Sequence, residues 1–373
     1  MRIGIDARIL SEENTGIYNY VFHLLCNLQE IDDTNDYFLF SHAEFEMPLK
    51  NNRWHKIVGN GITAGVSKLW FQTGLIPLIK KTKIDIFWAT CNLLPLALPS
   101  RVRTLLTVHD LTYLFYPETM AMKNLLAYRL LQRRSIKTAD RIIADSEATA
   151  RDVKSYFGIT PNKMEVLPCG INRSMFLPVC GEELDRKVKK YGIRHKYLLT
   201  VSTLEPRKNL VNVLRSYEAL IRNSTIDHDL VIVGARGWKT SFLYKEVRLL
   251  GLEERVRFLG YVPEDDLPAL YSGADALLFL SLYEGFGLPI LEAMACGCPV
   301  ITSHVSSMPE VAGRAAILVN PENIGEISQA VHGLLRDKER CAALRSAGQE
   351  RIRQFEWRDR SRRLSEIFQQ LSS

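Results

Sequence analysis

The chain has 373 residues, more than one hydrophobic core usually organises, and a composition of 46% apolar and 24% charged residues that excludes a disordered or fibrous protein. The formal charge of +6 is mild, the apolar stretches are too short to cross a bilayer, and seven scattered cysteines do not make a disulfide framework. Met1 leads straight into a strand-like "RIGID" with no signal-peptide hydrophobic region, so a cytoplasmic protein of two domains is expected.

Along the chain, short β-rich runs alternate with longer amphipathic stretches. In the first half the runs are "RIGIDA", "YFLFS", "IDIFWA", "RTLLTVHD", "RIIADS" and "KMEVLP"; in the second they are "YLLTVS", "DLVIVG", "VRFLGYV", "ADALLFLS", "PVITS" and "AAILV". Such runs, apolar on both sides, suit parallel strands covered by helices on both faces, so the fold class is α/β with two doubly wound sheets. The Pro/Gly stretch "FLPVCGEEL" marks the break, giving domains over 1–177 and 178–356, with a C-terminal helix over 357–373 expected to pack back on the first.

Open parallel sheets bind ligands beyond the carboxyl ends of their strands, which here are polar. Asp6 follows the first strand, and the loop "NTGIYNY" then places Gly16 ahead of a helix. "LLTV" ends in His109 and Asp110, "RIIA" in Asp145, and "YLLTV" in Ser202 and "TLEPRKN". After "ADALLFLS" comes "LYEGFGLPILEAMACGCP", where Pro289 suits a helix start and Gly297 its end, predicting a short helix over 288–296. Its positive N-terminus behind a glycine turn is a cradle for phosphate or hydroxyl groups. Glu292, one turn in, could accept from a vicinal diol such as ribose, and Glu284 stands in the loop before it. A capped helix with two incidental acids would show the same spacing. Arg207 and Lys208, between a strand and a helix start, add two cations suited to a diphosphate. The CxC of Cys296 and Cys298 has no second ligand pair and reads as packing. "DHD" at 227–229 reads as a turn, at the wrong strand end for a metal site.

Together these residues resemble the retaining glycosyltransferases of group 1, family GT4, over nearly the whole chain. The markers are Glu284 and Glu292 in "EGFGLPILE", the "EPRKN" cations, "HD" at 109–110, the loop at Gly16 and "LPCGIN" at 167–172. The resemblance implies the GT-B fold, two Rossmann-like domains facing across a cleft, with the sugar nucleotide on the C-terminal one and the acceptor on the N-terminal one. It implies catalytic roles for His109, Arg207, Lys208 and Glu284. Donor contacts are implied for Gly16, Ser202, Arg207, Lys208, Tyr261, Glu284, Glu292 and the backbone of Phe286, Gly287 and Leu288, with Asp110 and Asp145 on the acceptor side. The single glycine in "NTGIYNY" departs from the double glycine of the family. No cofactor and no metal are expected, since Arg207, Lys208 and helix N-termini would carry the leaving-group charge. The pattern is most similar to bacterial GDP-mannose-dependent mannosyltransferases of surface polysaccharide synthesis, with UDP-hexose as the alternative donor. A dehydrogenase would need G-x-G-x-x-G after a strand, and "VIVGARG" offers only Gly234 and Gly237.

Two basic clusters remain. A helix predicted over 123–139 aligns Arg129, Arg133 and Lys137, with Arg134 beside them and Leu126 and Leu130 nearby; "KLWFQTGLIPLIKKTK" at 68–83 adds Trp70, Phe71 and clustered lysines. Solvated helix faces would read alike. A lipid-linked or oligosaccharide acceptor favours an anionic membrane surface over nucleic acid as the partner, hence peripheral attachment at the inner face of the cell membrane.

Overall fold

The computed structural model describes residues 1–12, 15–59, 66–119, 122–237 and 241–372. Asn14 of the "NTGIYNY" loop and the side chain of Lys123 lie outside the described residues. The first sheet has seven parallel strands, β1 (Arg2–Asp6), β2 (Asp36–Ser41), β3 (Trp54–Val58), β4 (Ile86–Ala89), β5 (Arg103–Val108), β6 (Arg141–Ala144) and β7 (Met164–Val166), in the order β3-β2-β1-β4-β5-β6-β7. The second has six, β8 (Lys196–Val201), β9 (His228–Val233), β10 (Val256–Gly260), β11 (Ala276–Phe279), β12 (Val300–Ser303) and β13 (Ala316–Val319), in the order β10-β9-β8-β11-β12-β13. Both orders reverse direction once, between β1 and β4 and between β8 and β11, which is the topological switch point of a doubly wound sheet. The central strands are buried on both faces, which is why they read as continuous apolar runs.

β3 is absent from the sequence expectation. It is an edge strand carrying His55 and Lys56, and only Trp54 of its five residues is buried, so it has no apolar run to announce it. Trp70 and Phe71, expected at the basic surface, are instead core residues at 1% exposure, with the Arg8 guanidinium 3.6 Å over the Phe71 ring. The "DHD" turn is also corrected: His228 and Asp229 open β9, and the Asp229 carboxylate pairs with Arg255 and Arg257 at 3.4 and 3.3 Å. Cys296 and Cys298 are both buried.

By packing, the chain divides into one unit of Met1–Gly170 with the segment from Glu356, and a second of Ile171–Phe355. The division falls upstream of residue 177 because the intervening segment is tied to the second unit. There the Ile171 N–H donates to the Phe355 carbonyl at 2.8 Å, the Val179 N–H donates to Ser272 Oγ at 2.9 Å, and Phe176 meets Tyr271 edge-on at 6.3 Å. The helix Trp357–Ser372 belongs to the first unit: it buries Leu364, Ile367, Phe368 and Leu371, and its Ser361 hydroxyl donates to the Leu24 carbonyl at 2.9 Å. No helix among the described residues is long and apolar enough to cross a membrane.

One glycine is demanded by a close approach. Gly234 leaves β9 at φ 148°, and a Cβ there would lie 1.9 Å from the Ser202 carbonyl oxygen just after β8. Gly234→Ala is therefore expected to lower unfolding stability by about 2–3 kcal/mol or more, read as a lower denaturant midpoint at unchanged m-value. A midpoint equal to wild type would contradict this contact.

Candidate active site

In the second unit, the segment after β8 is fixed before it carries any function. Residues Pro206–Lys208 form one 3-10 turn, and Asn209, in the left-handed conformation at φ 60°, starts the helix Leu210–Asn223. The Asn209 amide donates to the carbonyls of Leu280 and Pro321 at 3.0 and 2.7 Å, which clamps this turn to the chain following β11. Arg207 and Lys208 are thereby aimed at the loop after β11. Arg207 Nη1 donates to the Tyr283 carbonyl at 2.5 Å and to Glu284 Oε2 at 2.7 Å, and its Nη2 donates to Glu205 Oε1 at 2.6 Å. Lys208 Nζ donates to Glu284 Oε1 at 2.6 Å.

Glu284 is thus gripped on both oxygens by two cations, all three side chains being largely buried. Burial alone would raise the Glu284 carboxyl; Arg207 and then Lys208 outweigh it and hold it down at about 2. Lys208 is lowered by burial and by the neighbouring Arg207, against the pull of Glu284. With Glu205 included, two cations face two carboxylates, so the cluster is balanced rather than the pair of uncompensated cations that the sequence alone suggests.

The loop behind Glu284 is held by two serines that sequence reasoning missed. Ser306 Oγ donates to the Glu284 carbonyl at 2.7 Å, and Ser307 Oγ lies 2.7 Å from the Phe286 carbonyl and 3.0 Å from that of Glu284. Both follow the carboxyl end of β12, the one signal that could have found them. Gly287, at φ 111°, then turns the chain into the helix Leu288–Ala295, with Pro289 in its first turn. Glu292 lies inside this helix, 9% exposed, and its Oε2 accepts from the hydroxyl of fully buried Tyr271 at 2.7 Å. Tyr271 comes from the helix Leu267–Gly273 and carried no motif. Burial pushes the Glu292 carboxyl up to about 7; the Tyr271 hydrogen bond opposes this and Glu264 adds to it. Of the remaining donor-side expectations, Phe286 is buried edge-on to Phe355, the Ser202 hydroxyl is buried without a partner among the described residues, and Tyr261 stands 55% exposed.

In the first unit, the ends of β1, β4, β5 and β6 meet around His109. Its Nδ1 lies 2.6 Å from Asp145 Oδ2 and its Nε2 2.7 Å from the Thr90 carbonyl oxygen, while its backbone N–H donates to Asn92 Oδ1 at 2.9 Å. Asp145 is thus turned to His109, and Asp110 accepts from the Thr112 N–H at 3.0 Å at the start of a short helix. The Thr90 hydroxyl donates to the Asp6 carbonyl at 2.7 Å, and the Asp6 carboxylate takes a two-pronged contact from Arg8 at 2.8 Å on each oxygen. Gly16 is the first residue of the helix Gly16–Ile31, whose first turn is capped by the Thr15 hydroxyl accepting from the Tyr18 N–H at 3.0 Å. The basic helix is Met122–Thr138, with Arg129, Arg133, Arg134 and Lys137 exposed and Leu126 and Leu130 exposed at 64% and 66%.

The two site glutamates act on stability in opposite senses. A carboxyl raised from 4.5 to about 7 adds to the folded state while protonated; that contribution is complete below about pH 4.5 and is lost as pH rises through about 7. The ionised Glu292 then costs about 3 kcal/mol. Glu292→Gln is accordingly expected to be more stable than wild type at pH 8 and no more stable at pH 5. Parallel stability curves for the two proteins would contradict the assigned environment.

Comparison with known proteins agrees with this architecture in both halves. Residues 182–351 match the family described as glycosyl transferases group 1, and residues 15–174 match glycosyltransferase family 4. Over 262 residues the chain is 32% identical to O-antigen chain mannosyltransferase B of Escherichia coli, covering 70% of this chain and 68% of that protein. It is 29% identical over 340 residues to O-antigen chain mannosyltransferase RfbU of Salmonella typhimurium, covering 86% and 87%. Among solved structures, sucrose-phosphate synthase of Thermosynechococcus elongatus superposes with a TM-score of 0.80 at 18% identity, covering 100% of this chain and 99% of that one. With two doubly wound parallel sheets and a family match in each half, the chain belongs to the group 1, family 4 glycosyltransferases of GT-B fold.

Proposed function

We propose that the protein is a retaining mannosyltransferase that moves mannose from GDP-mannose to a lipid-linked glycan in O-antigen synthesis, without a metal. The observation that carries the reading is the Arg207, Lys208 and Glu284 cluster beside the helix carrying Glu292. Breaking the anomeric bond leaves a nucleoside diphosphate, and cations already fixed in place stabilise that growing charge without reorganising. Arg207 and Lys208 meet this need: Asn209 clamps their turn, and Glu284 sets their direction. Glu284, held ionised between them, is suited to accept from hydroxyls of the donor sugar. Glu292 is the group for the ribose diol, a contact equal in ground and transition states and therefore one of binding. Support for mannose and for the O-antigen comes from the relatives at 32% and 29% identity, both O-antigen chain mannosyltransferases. Retention of configuration follows the family resemblance.

The acceptor side is read as meeting a membrane. The helix Met122–Thr138 presents Arg129, Arg133, Arg134 and Lys137 with exposed Leu126 and Leu130, and Leu96 is also exposed. Arg134 is anchored beside this patch by donating to the Leu96 carbonyl at 2.8 Å. Lys68, Lys80, Lys81 and Lys83 are exposed as well, whereas Trp70 and Phe71 are too deep to contribute. A basic face with an apolar margin suits reversible binding to anionic headgroups at the inner face of the cell membrane.

Three experiments test these readings. In a thermal-shift panel of GDP, UDP and ADP, GDP is expected to give the largest stabilisation, about 2.7 kcal/mol at 100 times its dissociation constant. A clear preference for UDP would sink GDP-mannose as donor and leave the family intact. Lys208→Ala is expected to lower turnover by roughly two orders of magnitude. For the membrane, the protein should co-sediment with anionic but not neutral liposomes and be released by high salt, each basic residue contributing about 1 kcal/mol. Replacing Arg129, Arg133, Arg134 and Lys137 by Gln should abolish most of that binding; retention by the quadruple variant would return the helix to a solvated face.

A further inference from the structure

We infer that His109 is held as a permanent imidazolium by Asp145 and the Thr90 carbonyl, which makes Asp145 a positioning residue for sugar transfer and removes His109 as a base. The geometry carries this. A carbonyl oxygen only accepts, so the 2.7 Å contact to Thr90 places a proton on Nε2. A proton must also lie between Nδ1 and Asp145 Oδ2 at 2.6 Å. It resides on the ring because an imidazole is more basic than a carboxylate by about 2.6 pH units. Both ring nitrogens are then N–H donors already in use, and no lone pair is left to take a proton from an acceptor hydroxyl.

The surroundings hold the arrangement. His109 is 5% exposed, and its backbone is fixed by Asn92, which is itself in the left-handed region at φ 58°. The titratable groups facing the ring are Asp145 after β6, the Cys91 thiol after β4, and Tyr20 of the helix Gly16–Ile31, perpendicular at 5.5 Å. Burial disfavours the charged ring, but Asp145 and then Cys91 oppose it, and the net direction is well above the usual histidine range. The second oxygen of Asp145 is buried with no hydrogen-bond partner among the described residues, so the carboxylate's charge is directed to the ring.

The consequence for chemistry rests on the transferase reading given above. As the bond from the anomeric carbon to the departing phosphate oxygen breaks and the bond to the acceptor oxygen forms, the acceptor's proton must pass to a group other than His109. The departing diphosphate oxygen is such a base and leaves carrying that proton, which balances the step.

The test uses the full-length protein labelled with 15N-histidine and long-range 1H–15N correlation, with His109 identified by its loss in His109→Gln. At pH 8 wild type is expected to show protons on both His109 nitrogens, Asp145→Glu to keep that signature, and Asp145→Asn to leave one nitrogen bare. One bare nitrogen in wild type at pH 8 would overturn the charge assignment. In turnover, Asp145→Asn is expected to lower kcat on the order of ten-fold at pH 8, less than the roughly hundred-fold of a charge in direct contact, with donor KM little changed. It should also show a fall in kcat as pH rises that wild type lacks, because the ring loses its proton once the carboxylate is gone. A pH profile identical to wild type, with His109 neutral, would overturn the positioning role. Failure of wild type to turn over any nucleotide sugar would overturn the transferase reading and Asp145's role within it, while the nitrogen signals decide the charge state independently.

Discussion

The pairing of Glu284 with Arg207 and Lys208 is the interaction on which the second unit's site depends. Three charged groups withdrawn from water are costly, and removing one partner from such a set typically costs about 3–5 kcal/mol because it strands the other charge. The surrounding backbone is built to keep the set closed: Asn209 clamps the cation turn to the strand end at Leu280, and Ser306 and Ser307 hold the carbonyls of the loop after β11. Glu205 completes the neutralisation. A donor diphosphate would therefore enter a cluster already charge-balanced and share cations that are already oriented. Preorganisation of this kind puts the electrostatic cost into folding rather than into the chemical step.

Glu292 illustrates the opposite arrangement in the same fold. Among the described residues it meets no cation, only the Tyr271 hydroxyl, and burial leaves its carboxyl at about 7. A buried acid without a counter-charge weakens the folded state, and such placements concentrate where a ligand is to supply the missing partners. In the first unit, His109 and Asp145 neutralise each other at the carboxyl ends of β5 and β6, so each sheet carries its buried charges at strand ends near its switch point.

What the sequence disclosed follows from what leaves a local signal. The central strands were legible because burial on both faces demands unbroken apolar runs; β3 was not, because an edge strand with His55 and Lys56 needs none. The helix around Glu292 was legible from Pro289 and Gly297, whose backbone preferences are local. The partner of Glu292 was not, since Tyr271 looks like any core aromatic until a hydrogen bond distinguishes it. Trp70 and Phe71 were misplaced because neighbouring lysines suggested a surface, whereas the helix buries one face and exposes the other. Asp229 was assigned to a turn because it stands just ahead of the apolar run "LVIVG", and the arginines that pair it come from the neighbouring edge strand and the residue before it. Arg207, Lys208 and Glu284 were each singled out by position, but their mutual engagement spans more than seventy residues of chain and has no sequence trace.

This charge-balanced cluster is proposed to hold the donor's diphosphate directly, with no metal between them. Calorimetric titration of GDP into the protein in excess EDTA tests it most directly. Binding at one site per chain, unchanged by the chelator and lost in Lys208→Met, is the predicted result; absence of heat until magnesium is restored would contradict it.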